Sequence, residues 1–257
     1  MVPPGTLRTN HLGATLEAHD PVLAAALVKL AASEGPAEHR RLAERYRELG
    51  IIDTAFDHFA RARELDPTDA VASEALARIW RDWGFPDLGL ADARRAVDAA
   101  PAWPAAHNTL GTLLAAMGRY GEARAAYLSA LALDRTVPYV WSNLCYLSFL
   151  EGHAGRAVDE CATALETDGG LKAARNNLAL AYAALGQADR ARQTLLSGGD
   201  AAAGLYNLGV LHLARAEYAA AVEAFTAARR ERPTWTAARQ RLRQALRAAA
   251  QAERTDP

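Results

Sequence analysis

Leu42, Leu76, Leu110, Leu144, Leu178, Leu208 and Leu242 stand 34 residues apart, with a single interval of 30. A fixed period of this length means one supersecondary unit used repeatedly, and it excludes most other architectures. The residue after each of the first six leucines is small: Ala43, Ala77, Gly111, Cys145, Ala179 and Gly209. A second small set follows at Ala55, Gly89, Ala123, Ala157, Ala191 and Ala221, and a third at Ala62, Ala96, Ala130, Ala164, Gly198 and Ala228. Between the halves stand Gly50, Gly84, Gly118, Gly152 and Gly186. Each unit therefore reads as a helix, a glycine turn and a second helix, with small residues letting the two axes approach. Alanine supplies 61 of the 257 residues, a composition that favours helix. Bulky residues remain for the space between units: Tyr46, Trp80, Leu114 and Tyr182 from first helices, Phe59, Tyr127, Leu195 and Phe225 from second helices. No unit can bury these alone, so the units must stack.

The register Trp141-x-x-Leu144-Cys145 followed by Gly152, Ala157 and Ala164 resembles the tetratricopeptide repeat family. So does Leu205-x-x-Leu208-Gly209 with Ala221, Phe225, Ala228 and Pro233. The resemblance implies an all-α protein, an α-solenoid wound as a right-handed superhelix. Six units are expected, at 36–69, 70–103, 104–137, 138–171, 172–201 and 202–235. The fifth is four residues short, its loss falling at Ser197-Gly198-Gly199-Asp200.

Flanking segments have the character of caps. Residues 19–35 form an N-terminal capping helix with Pro21 in its first turn and Val22, Leu23, Leu27 and Leu30 as its apolar side. Residues 236–251 form a C-terminal capping helix on which Leu242 and Leu246 cover the last repeat while Arg239, Arg243 and Arg247 face water. Residues 1–18 and the tail 252–257 are expected to be flexible. The opening Met1-Val2-Pro3-Pro4-Gly5 has no basic and apolar leader, and no run of about 18 apolar residues spans a membrane. The expected location is cytoplasmic, or periplasmic if a leader has been removed.

The nucleotide-binding, nucleophile-elbow and zinc-protease motifs are absent from the sequence, so the chain is read as no enzyme, with no cofactor and no metal site. Cys145, His153 and Cys161 lack a fourth ligand for zinc, and the two cysteines, at facing core positions where a disulfide is the alternative, are expected as buried free thiols. His39, His107 and His212 sit at packing positions of the repeat. Charge balances at 29 basic against 30 acidic residues. The arginines near the C-terminus, among them Arg229, Arg230, Arg232 and Arg241, have only Trp235 as a stacking aromatic, which argues against a nucleic-acid partner.

Function must then lie on a face left over after stacking. For the family, the resemblance implies a concave face lined by first helices. Asn143, Asn177 and Asn207 each precede a signature leucine, and Asn108 lies one residue from that register, beside Thr109. A carboxamide offers a donor and an acceptor that match a peptide unit regardless of side chain. Around this ladder stand Tyr139, Tyr146, Phe149, Leu180, Tyr206, Val210 and Leu213, while the first two units carry Arg40, Glu44, Glu74, Arg78 and Arg81. The expected activity is a protein–protein interaction scaffold. It would hold an extended or helical segment of a protein or peptide partner through Asn108, Tyr139, Asn143, Tyr146, Phe149, Asn177, Tyr206 and Asn207. Two alternatives stand beside it: an envelope assembly factor, from a resemblance to bacterial pilus and secretin assembly lipoproteins of this repeat class, and a substrate-selecting subunit of an enzyme complex.

Overall fold

Proline and glycine mark the limits of the helices. The structure is a computed structural model that describes residues 20–255, and among these residues all regular structure is helical. The chain divides into two units between Arg135 and Thr136. The first holds α1 (Pro21–Ala32), α2 (Pro36–Glu48), α3 (Ile52–Leu65), α4 (Ala70–Asp82), α5 (Pro86–Ala99), α6 (Pro104–Ala116) and α7 (Tyr120–Leu133). The second holds α8 (Pro138–Leu150), α9 (Ala154–Thr167), α10 (Lys172–Ala184), α11 (Ala188–Leu196), α12 (Ala201–Ala214), α13 (Tyr218–Glu231) and α14 (Thr236–Thr255). The segment 1–18 and the last two residues of the tail lie outside the described residues.

Within each unit the helices form hairpins that pack on their neighbours, the arrangement of an α-solenoid. Pro21, Pro36, Pro86, Pro104 and Pro138 each occupy a first turn, where a missing N–H costs nothing. At Gly50, Gly84, Gly118, Gly152 and Gly186 φ lies between 73° and 86°, a left-handed conformation that ends the first helix of a hairpin. The following residue then donates to a carbonyl five positions back, as Ile51 does to Tyr46 at 2.8 Å and Gln187 to Tyr182 at 2.9 Å. The last hairpin makes the same bond, Glu217 to His212 at 2.9 Å, with Ala216 in place of glycine at φ 59°.

The small positions bring second-helix rings onto first-helix backbone. A Cβ on Gly111 would stand 2.5 Å from the Tyr127 ring, and one on Gly209 would stand 2.8 Å from Phe225. Leu42, Leu76, Leu144, Leu178, Leu208 and Leu242 are buried. Ion pairs join hairpins: Arg40 of α2 reaches Asp69, the N-cap of α4, at 2.8 Å, and Arg63 of α3 reaches Asp92 of α5 at 2.6 Å. Asp200 caps α12 through the Ala203 N–H and accepts Arg232 at 3.0 Å, and these two contacts hold its carboxyl below the usual carboxylate range.

Three expectations need correction. Cys145 and Cys161 are not free thiols but form a disulfide across the α8–α9 hairpin, with Cα atoms 5.2 Å apart. The small position of a first helix faces the large position of its partner, which brings the two cysteines within bridging reach. On α14 the buried face is Ala238, Leu242 and Ala245, while Leu246 is 50% exposed; the helical turn carries Leu246 off the covered side, and the helix continues past residue 251 to Thr255. On α1 Leu23 is fully buried but Val22 points to solvent.

Candidate functional site

In the second unit Asn177 and Asn207, each just before a signature leucine, lie on the edge of a first helix that meets the preceding first helix. Asn177 Nδ2 donates to the Ser142 carbonyl oxygen at 3.2 Å, tying α10 to α8. Asn207 Nδ2 donates to Asn176 Oδ1 at 2.8 Å, tying α12 to α10. In the first unit Thr109 holds the same register, and its hydroxyl donates to Glu74 Oε1 at 2.6 Å, tying α6 to α4. In all three junctions the acceptor residue stands two places before a signature leucine: Glu74, Ser142 and Asn176. The ladder is thus first a set of links between repeats. The acceptor column was legible as residues 35 positions back, or 31 across the shortened repeat.

Asn177 directs its amide at Ser142 and Asn207 spends one of its two N–H donors on Asn176, which leaves their Oδ1 atoms and the second N–H of Asn207 for a ligand. Asn143 is half-buried on α8, and Asn108 is half-buried on α6 in the first unit, apart from the other seven predicted residues.

The aromatic residues separate into two groups. Tyr139 is 39% and Tyr146 44% exposed on α8, and Tyr146 stacks on Phe149 with ring centroids 6.3 Å apart. Phe149 is half-buried against the cluster of Cys145, Cys161 and Leu178. Tyr206 packs on Phe225 at 5.6 Å and on Trp235 at 4.7 Å, so it belongs to the seam between α12, α13 and the start of α14. Leu213 joins that seam. Leu180 and Val210 line a cavity of about 120 Å³ between α10 and α12, with Asn176 and Asn207 at its polar side. That volume takes a single small apolar group. Asn176, absent from the predicted set, both lines this cavity and anchors Asn207.

Residues 104–137 match the tetratricopeptide repeat family model. That segment is a tetratricopeptide repeat. No curated protein sequence matches the chain. Among solved structures, one chain of the APC/C hetero-tetramer Cut9-Hcn1 superposes with TM-score 0.69 at 19% identity, over 87% of this chain and 45% of that one. PilW, described as a widely conserved type IV pilus biogenesis factor, gives TM-score 0.68 at 21% identity, over 82% of this chain and 98% of its own. A tetratricopeptide repeat protein from Parabacteroides merdae gives TM-score 0.68 at 17% identity, covering 87% and 90%. These likenesses establish the tetratricopeptide-repeat fold. No described helix is long and apolar enough to cross a membrane.

Proposed function

We propose that the chain is a non-catalytic interaction scaffold whose second unit holds an extended or helical segment of a partner protein. The observation that carries this reading is the exposure of Tyr139 and Tyr146 along one helix whose other faces are packed. Two half-exposed tyrosines give large contact area at little cost in side-chain entropy. Asn143 on the same helix, Asn177 on α10 and Asn207 on α12 add polar atoms. The test is a comparison of wild type with Tyr139→Ala/Tyr146→Ala as bait. A partner held by this face is captured by the first and lost by the second, at unchanged melting temperature. Equal capture by both would refute the assignment of this face.

A second reading, an envelope assembly factor in the periplasm, is favoured by the Cys145–Cys161 disulfide. Such bridges persist in oxidising compartments and are rare where glutathione keeps thiols reduced. The likeness in fold to the pilus biogenesis factor PilW accords with it. Alkylation of thiols before lysis, followed by fractionation, tests it. Blocked thiols in a periplasmic fraction would count for nothing but free cysteines and against this reading; an unreactive, bridged pair in that fraction supports it.

A further inference from the structure

α1 and α14 differ in what they show to water. The exposed side of α14 carries Arg239, Arg241, Arg243 and Arg247, with Leu246 among them, the polar face that the end of a solenoid requires. The exposed side of α1 carries Val22, Ala25, Val28 and Ala32, with Val22 59% and Val28 69% exposed, and Lys29 is the helix's one charge. At 3.6 residues per turn these four apolar positions fall on one side of the helix. Leu23, on the other side, is buried in a cluster with Leu42 and Tyr46 of α2.

Val22, Ala25 and Lys29 also line a groove of about 500 Å³ between α1 and α2, completed on the α2 wall by Arg41, Glu44, Arg45 and Glu48. In later repeats a first helix packs both on its own second helix and on the following first helix: α4 on α5 and α6, α8 on α9 and α10. α1 stands to α2 as α3 stands to α4, a second helix against the next first helix. Its own first helix is not among the described residues.

The chain that leads into Asp20, the N-cap of α1, carries the register of such a helix. Leu12-Gly13 repeats the pairs Leu110-Gly111 and Leu208-Gly209, and it stands 30 residues before Leu42, the interval that separates Leu178 from Leu208. Leu16 holds the place of Tyr46, Trp80 and Leu114, four residues after the leucine. α2, α4, α6, α8 and α10 each run from six residues before the leucine to six after it, which from Leu12 gives 6–18. Second helices α3, α5 and α7 start ten residues after their leucine, and α1 starts nine after Leu12.

We infer that residues 6–18 are the first helix of a further repeat and seat in the groove between α1 and α2, covering Val22 and Ala25. The assignment specifies a contact. At two junctions the residue before the leucine donates to the residue two before the preceding leucine, Thr109 to Glu74 and Asn177 to Ser142. In that register α2 offers Arg41, 58% exposed in the groove, and the segment offers Asn10. The row of first helices in the first unit then numbers four, and the apolar side of α1 is removed from water. The inference is independent of the reading given for Tyr139 and Tyr146.

The experiment uses the full chain carrying Asn10→Cys/Arg41→Cys, its native cysteines being already bridged. Mild oxidation is expected to join positions 10 and 41 within one molecule, read by peptide mapping and by monomer mass on a non-reducing gel. Asn10→Cys/Arg94→Cys, with the second cysteine on the exposed side of α5, should stay unbridged and so measures chance encounter. Independently, Leu12→Asp/Leu16→Asp should speed amide hydrogen exchange in α1 about tenfold or more and leave α9 as in wild type. The cross-link decides the matter if the aspartate variant unfolds. A bridge between two molecules would put a second copy in the groove and overturn the inference. So would equal bridging to position 94, no bridge to position 41, or unchanged exchange in α1 of a folded aspartate variant.

Discussion

Asn177 donates its side-chain amide to the carbonyl oxygen of Ser142, and the bond joins two consecutive first helices at 3.2 Å. An amide in that position stabilises the stack before it can serve any ligand. Asn177→Ala is therefore expected to destabilise the protein by about 1 kcal/mol, the worth of a typical internal hydrogen bond. Asn207→Ala, which frees Asn176, should act in the same direction. Urea unfolding of each variant measures this, and midpoints equal to wild type would show the bonds to be idle.

Ala216 adopts φ 59° where the five preceding hairpins use glycine. A Cβ in the left-handed region costs roughly 1–2 kcal/mol, partly offset by the greater freedom glycine has in the unfolded chain. Ala216→Gly should accordingly raise stability by about 0.5–1 kcal/mol. Its counterpart Gly152→Ala, at φ 80°, should lower it. Thermal melts of the pair check both signs; a stabilised Gly152→Ala would contradict the turn assignment.

His58 of α3 and His39 of α2 meet with their Nδ1 atoms 2.9 Å apart, Tyr46 of α2 stacks on His58 at 5.6 Å, and His39 Nε2 faces Glu34 at 3.3 Å. Glu34 is itself held by Arg61 of α3. Burial, with a smaller contribution from His39, lowers the pKa of His58 from 6.5 to about 4. The folded value is the lower one, so the unfolded chain takes up the proton first. The contribution of neutral His58 is complete above pH 6.5 and is lost as pH falls from there toward 4. Stability measured across that window should fall less steeply in His58→Gln than in wild type. Parallel slopes would place the titration elsewhere.

The disulfide closes a loop between residues 16 positions apart. Loop-closure entropy for that length amounts to about 3 kcal/mol. Cys145→Ser/Cys161→Ser, or wild type under reductant, should lose about 2–3 kcal/mol in denaturant unfolding. No difference between oxidised and reduced protein would contradict this.

The hairpin plan was legible because leucine, small residues and glycine recur in a register that only one packing satisfies. Leu76, Ala96 and Gly84 each carry their role in their position. What escaped the sequence depends on distances between helices that no period encodes. Asn177 and Asn207 lie at the border between the groove and the stacking edge, and the approach of the preceding first helix decides which side claims their donors. Tyr206 stood in a plausible groove register, but Trp235, the last residue of the same unit, packs against it. Cys145 and Cys161 occupied ordinary small and large positions, and only the closeness of their Cα atoms makes them a bridge. Glu74 looked like one charge of a mixed rim, whereas it is buried and accepts the Thr109 hydroxyl of the next first helix.

The most direct test of the scaffold reading is photocrosslinking in intact cells from a benzophenone amino acid placed at position 146, compared with one at Arg192 on the exposed side of α11. The account predicts a discrete adduct with a partner protein from position 146 and none from position 192. An adduct from position 192 with none from position 146 would contradict it.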